Sequence, residues 1–312
     1  MSHILLTGAG FSHNWGGWLA EEVFEYLLGD PSLTPGIRNQ LWYDRGQGGN
    51  YETTYSQLRA RAKAGDDGDY KTFNAILIGM FNAMKNAFSV NSFDFDDSVD
   101  RQFKISRFLH RFDAIFTLNQ DTLLERHYFR YNFGLESENR WSGFDIPGLE
   151  PKLTQHPYST PIDQTELRHV KSADFELMKG PYQLYIKLHG SHNWLSQNGL
   201  LIVSGGNKKT DIADIPLLNW YGQLFREKLC SPSTRLMVIG YGFRDEHINE
   251  VIYEAAARKA LLFVIDPQGI DALKPICEKV FEQVIGASRR DLRTTFGNDA
   301  AEFGKVSRFF SE

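Results

Sequence analysis

Ile4-Leu5-Leu6-Thr7-Gly8-Ala9-Gly10-Phe11-Ser12 is the stretch whose reading decides the fold. A short apolar run breaks into a turn of small residues. After Asn14-Trp15-Gly16-Gly17, the apolar residues Leu19, Val23, Phe24, Leu27 and Leu28 recur at helical spacing. Strand, glycine turn and helix together open a nucleotide-binding α/β sheet. Glycines without a Cβ let a phosphate approach the backbone, and a helix N-terminus offers N–H donors. The same letters also fit an ordinary tight turn. The full G-x-G-x-x-G is absent, because His13 stands where the third glycine would fall. No acidic residue closes a second strand about 20 residues on, as a dinucleotide dehydrogenase requires.

Further along the chain, four more apolar runs end in polar or glycine residues. Ala114–Thr117 leads into Leu118-Asn119-Gln120-Asp121. Gln183–Leu188 ends in His189-Gly190-Ser191-His192. Leu236–Ile239 ends in Gly240-Tyr241-Gly242-Phe243, with Arg244-Asp245-Glu246-His247 opening a helix. Leu261–Ile265 ends in Asp266-Pro267. Mostly separated by helical segments, these strands predict an α/β fold: a doubly wound, Rossmann-like parallel sheet with a helical insertion. All five polar ends then lie along one edge, where open α/β sheets bind ligands.

The domain reading follows. Residues 1–285 form one nucleotide-binding unit. A helical insertion covers about 30–110, with helices over 51–64, 69–88 and 98–110. Phe73, Leu77, Met80, Phe81 and Met84 form an apolar stripe, as a core-facing helix does. Residues of about 130–181, with Pro147, Pro151, Pro157, Pro161 and Pro181, read as an irregular insertion or lid. The segment 286–312 mixes Arg289, Arg290, Arg293, Lys305 and Arg308 with Phe296, Phe303, Val306, Phe309 and Phe310. It reads either as a helix folded onto the body or as an oligomer or partner contact.

Composition excludes several classes. The 312 residues are 42% hydrophobic and 23% charged, with a net charge of −5 and no basic run. Direct nucleic-acid binding is therefore not expected. Two cysteines, Cys230 and Cys277, make neither a four-cysteine zinc site nor a secreted disulfide framework. No stretch approaches the ~20 apolar residues of a membrane span, and the N-terminus lacks a signal peptide's pattern. A cytoplasmic protein is the expectation.

Side by side, the strand ends resemble the sirtuin (silent-information-regulator) family. Gly8-Ala9-Gly10-Phe11-Ser12 is similar to its glycine turn, Asn119-Gln120-Asp121 to its Gln-Asn-Ile-Asp stretch, and His189-Gly190 to its catalytic His-Gly. Gly240-Tyr241-Gly242-Phe243 resembles its later nucleotide turn, and Asp266 falls where that family holds the adenosine ribose. The four zinc cysteines, the Pro-Asp-Phe-Arg and the acyl-peptide strand of the deacetylating members are missing. The run Gly240-Tyr241-Gly242-Phe243-Arg244-Asp245-Glu246-His247-Ile248-Asn249 is closer to sirtuin-like domains of bacterial anti-phage systems. That resemblance implies hydrolysis of NAD, as substrate, to nicotinamide and ADP-ribose in abortive infection. It also implies a homo-oligomer and a partner such as a HerA-type ATPase or a short Argonaute, with no zinc.

Cleavage of the nicotinamide–ribose bond passes through an oxocarbenium-like state, so it needs a positioned water and a proton acceptor. On this reading Asn119 holds the ribose hydroxyl and the water, since an amide both donates and accepts. His189 is the base or ribose-activating group, and Asp121 orients the ribose or the histidine. Gly8, Ala9, Gly10, Phe11, Ser12, Gly240, Tyr241, Gly242 and Asp266 bind the rest of the dinucleotide. Each has a structural alternative: Asn119, Asp121, Ser12 and Asp245 as helix caps, Asp266 as a turn residue, His189 as a core histidine. His189, His192, Asp245 and His247 also admit a metal site, though His-x-x-His on a turn is poor ligand spacing. Two readings from other classes compete: a module that senses NAD or ADP-ribose without turnover, and a protein deacylase.

Overall fold

A computed structural model describes residues 1–95, 101–131, 140–150, 166–196, 199–202, 205, 208–297 and 299–311. Among the described residues, ten strands run in chain order: β1 (Ser2–Thr7), β2 (Ala114–Thr117), β3 (Gly143–Asp145), β4 (Arg168–His169), β5 (Tyr182–Lys187), β6 (Gly190–Ser196), β7 (Gly199–Ile202), β8 (Thr234–Ile239), β9 (Leu261–Ile265) and β10 (Val284–Ser288). Seven of them make one sheet in the order β10-β9-β8-β1-β2-β5-β3, and every pairing in it is parallel. The fold is α/β and Rossmann-like, as the sequence predicts. The five expected strands are the five consecutive central ones. The two that the apolar pattern did not show, β3 and β10, are the edges. β3 is three residues long, and β10 alternates partly exposed residues along Val284-Ile285-Gly286-Ala287, so neither has the continuous apolar run of a strand buried on both faces.

The helices are α1 (Ala9–His13), α2 (Ala20–Gly29), α3 (Pro35–Gly46), α4 (Tyr51–Lys63), α5 (Gly68–Ser89), α6 (Ile105–Leu109), α7 (Leu123–Tyr131), α8 (Lys208–Ala213), α9 (Pro216–Leu229), α10 (Glu246–Ala257), α11 (Cys277–Val280), α12 (Leu292–Phe296) and α13 (Ala300–Ser307). The helical insertion is α3 to α6. Helix α5 buries the stripe Phe73, Leu77, Met80, Phe81 and Met84. Truncating Phe73 there removes a large part of that packing and costs about 3–5 kcal/mol. Helix α2 buries Val23, Phe24 and Leu27, whereas Leu19 precedes the helix and is exposed. A helix expected over 98–110 is shorter: α6 follows a 3-10 turn at Arg101–Phe103, and residues 96–100 lie outside the described residues.

Two connections differ from the strand–helix alternation. After β5 the chain turns straight into β6 instead of a helix. β6 pairs antiparallel with β7 and parallel with β4 in a small second sheet. Much of the segment 130–181, including 132–139 and 151–165, lies outside the described residues, as do Val203, Gly206 and Asn207. The C-terminal segment folds back on the body. Phe296, Val306 and Phe309 are buried, and Arg235 donates to the Phe309 carbonyl at 2.6 Å. The apolar side of that segment is thus used within the chain, and Arg289 and Lys305 point outward.

Candidate functional site at the carboxyl edge of the sheet

The glycine turn is built by close backbone approach. Gly8 N–H donates to the Ile239 carbonyl and Gly10 N–H to the Gly240 carbonyl, both at 3.0 Å. A Cβ on Gly8 would lie 2.6 Å from the Gly240 oxygen, and one on Gly10 would lie 2.8 Å from the Gly240 Cα. Gly240 itself has φ +63°, and its added Cβ would meet Phe11 N at 2.3 Å. The loops after β1 and β8 therefore need these three glycines to fit each other, whatever else they bind. Gly242 is different: a Cβ there meets only Arg244 Nε at 3.9 Å. The Phe11 ring is core and packs on Trp15, so only the backbone of Phe11 faces the turn. Ala9 is exposed on its open side.

Asn119 joins this turn to the end of β2. Its Nδ2 donates to the Gly8 carbonyl at 2.9 Å and to Ser12 Oγ at 3.0 Å. The carbonyl requires a donor, which fixes the amide orientation. Asn119 Oδ1 makes no hydrogen bond among the described residues. Ser12 is buried, and Asn119 N–H is held by Thr117 Oγ1 at 3.0 Å. Asp121 caps α7, its Oδ1 accepting from Leu123 N–H at 3.0 Å. It makes no bond to His189.

The loop after β5 lies against the loop after β2. Gln120 Nε2 reaches the His189 carbonyl at 3.5 Å, and the Gln120 carbonyl accepts from His192 N–H and Ser191 Oγ. His192 is turned away from His189: its Nδ1 sits 2.8 Å from the Gln120 carbonyl and its ring stacks on Phe81. Burial drives the His192 pKa down to about 4.

His189 is buried and its Nε2 lies 3.1 Å from Nε2 of His247 at the start of α10. Burial holds His189 well below the ordinary histidine range; the Lys208 ammonium adds to this and Asp245 opposes it. His247 is also lowered, again chiefly by burial. Both rings are neutral at neutral pH, so one Nε2–H donates to the other. Lys208 Nζ bridges Asp245 and Glu52 of α4, 2.9 Å from each carboxylate. Burial pushes the Asp245 carboxyl up, but His189 and Lys208 outweigh it and leave it below its usual value. Tyr241 is a buried strut: its hydroxyl accepts from Asp245 N–H at 3.0 Å, and burial raises its pKa. Asp266 stands at the end of β9, where Oδ1 accepts from Gln268 N–H at 2.9 Å.

Nitrogens of His189 and His247 and an oxygen of Asp245 lie within 4.8 Å of one another. Two imidazoles and a carboxylate form a donor set that zinc accepts. Here the Lys208 ammonium is shared between this carboxylate and that of Glu52, and the two rings bond to each other. The cluster is joined as a hydrogen-bond and ion-pair network, and His192 has no part in it.

In the sheet, β5 and β8 are separated by β1 and β2, yet their loops touch at the His189–His247 contact. The ends of the two intervening strands carry Gly8 and Asn119. The contacts close into a ring: Gly10 to Gly240, Gly8 to Asn119, Gln120 to His189, His189 to His247, and Asp245 back to Tyr241. Sequence reasoning did not single out Lys187, Glu125, Lys208 or Glu52. For Lys187 a signal existed, a lone charge inside Leu184-Tyr185-Ile186-Lys187-Leu188. The bridge from Lys208 to Glu52 spans 156 residues (208 minus 52) and left none.

The chain matches no protein-family model and no curated protein.

Proposed function

We propose that this chain is an NAD hydrolase, releasing nicotinamide and ADP-ribose. The observation that carries the reading is the ring of strand-end loops, to which Asn119, His189 and the glycine junction all belong. The Gly8–Ser12 turn and the exposed Gly242 take the pyrophosphate through backbone groups, and Asp266 takes the adenosine ribose. With both Nδ2 protons held by Gly8 and Ser12, Asn119 presents Oδ1 to a ribose hydroxyl and the attacking water. His189 lies 3.1 Å from His247 through Nε2; in the tautomer that this reading requires, His189 Nε2–H is the donor and Nδ1 keeps a lone pair as proton acceptor. Water oxygen bonds to the anomeric carbon, and the C–N bond breaks with its electron pair passing to nicotinamide. The water proton goes to His189 and then to solvent. Burial keeps His189 unprotonated and ready at neutral pH.

The resemblance to anti-phage sirtuin-like domains supports a role as a cytoplasmic defence effector, a homo-oligomer released by a HerA-type ATPase or an Argonaute partner. One observation favours a second reading, NAD or ADP-ribose sensing without turnover: His189 is buried and its Nε2 is engaged. Incubation with NAD, alone and with the partner, followed by chromatography for nicotinamide, separates the two. Release that disappears in Asn119→Ala and His189→Ala supports hydrolysis. Full release by both variants removes the mechanism, and tight binding without release supports the sensor.

A further inference from the structure

We propose that Lys187 is a positioning residue of this site, the post that holds the Asn119 turn and the His189 turn at a fixed separation. The inference rests on the NAD-cleaving reading for its effect on rate. Lys187 ends β5 in register with Thr117 of β2. The two turns therefore depart side by side, with Asn119 two residues past Thr117 and His189 two past Lys187. The Lys187 side chain is 0% exposed and its partner Glu125 is 2% exposed. Its ammonium donates to the Asp121 carbonyl, at the far end of the Asn119 turn, and to Glu125 Oε1 at 2.7 Å. The second Glu125 oxygen accepts from Tyr185 Oη at 3.2 Å.

The Asn119 turn is thus gripped on two sides. The ammonium holds Asp121, and the residues from His189 to His192 hold Gln120. Strand side chains alternate faces, so Lys187 shares its buried face with Gln183 and Tyr185, while the apolar Leu184, Ile186 and Leu188 take the other. A buried ion pair carries a desolvation cost that its mutual attraction at best balances, so stability alone does not explain it. What it adds is a directed contact to one carbonyl of the candidate catalytic turn.

The test is the double variant Lys187→Met with Glu125→Gln, which leaves no unpaired charge and keeps an acceptor for Tyr185. It is compared with the wild-type full chain for NAD cleavage and for amide hydrogen exchange. The expected result is a folded protein of unchanged mass in solution. Its kcat falls about 10²-fold, as for a catalytic group displaced by about an ångström, and KM stays within about twofold. Exchange in the peptide 117–122 accelerates at least about tenfold, with β1 and β8 unchanged. A folded double variant with wild-type kcat and unchanged exchange in 117–122 overturns the proposal. Should the wild type release no nicotinamide either alone or with the partner, the hydrolase reading fails separately, and the exchange measurement still decides the role of Lys187. If the double variant does not fold, Lys187→Arg is read by the same exchange: faster 117–122 supports the post, and unchanged 117–122 overturns it.

Discussion

The glycine junction and the histidine arch lie along the same edge of the sheet, and they are held by opposite means. In the junction, Gly8, Gly10 and Gly240 bring two backbones to within distances where no Cβ fits. In the arch, His189, His247, Asp245, Lys208 and Glu52 meet only through side-chain tips. The junction has a single geometry and no titrating group. The arch carries the titrating groups. On the proposed function, the junction would fix where a ligand lies and the arch would set the charge around it.

The largest expected effect breaks the junction. Gly240→Ala forces a Cβ into Phe11 N at positive φ and is expected to cost about 3–5 kcal/mol, unfolding much of the protein. The urea midpoint measures this; a midpoint equal to wild type would mean the two loops do not pack as described. By contrast, Gly242→Ala, in open space, should shift stability by no more than about 0.5 kcal/mol.

Next in size are losses confined to chemistry. Asn119→Ala and His189→Ala are each expected to lower nicotinamide release by about 10²–10⁴-fold, with the near-ultraviolet circular dichroism of the fold retained. Equal loss of fold and rate would erase the distinction between the scaffold and the arch.

His192 sharpens the comparison, since it titrates beside the arch without belonging to it. Its folded pKa, about 4, lies below the unfolded value of about 6.5. The unfolded chain therefore binds the proton first, and stability is lost as pH falls through that window. Linkage gives about 2 kcal/mol between pH 7 and pH 5. His189 and His247 are lowered too, so the His192 share is the part that disappears in His192→Asn. Urea titrations of both proteins at the two pH values check it; identical pH dependence would show that His192 is not neutral and buried in the fold.

The smallest effect on rate comes from tuning the arch. The Lys208 charge holds the His189 and His247 pKa values down, and its removal leaves Asp245 free to hold them up. Lys208→Met leaves the largely buried Asp245 and Glu52 carboxylates without their shared cation and should lower stability by about 1–3 kcal/mol. It should also move the acid limb of the pH–rate profile to higher pH. A limb that stays in place, or moves to lower pH, would separate His189 from this network.

Much of this was legible in the chain. Continuous apolar runs ending in Gly8, Asn119, His189, Gly240 and Asp266 marked the five inner strands, because a strand buried on both faces must be apolar throughout. The α5 stripe was legible for the analogous helical reason. The edge strands β3 and β10 were not, since short or half-exposed strands lack that pattern. The glycines were visible, but not that they accommodate each other's backbones.

The sequence alone determined the α/β class, the order of the central elements and the set of polar groups at their ends, because burial periodicity is local. Only the tertiary structure decided which of those groups meet. It gave Asp121 to a helix cap, His192 to Phe81, and His189 to His247 across two intervening strands. Contacts between residues far apart in the chain are set by sheet order and loop path, and no short window of sequence carries that information.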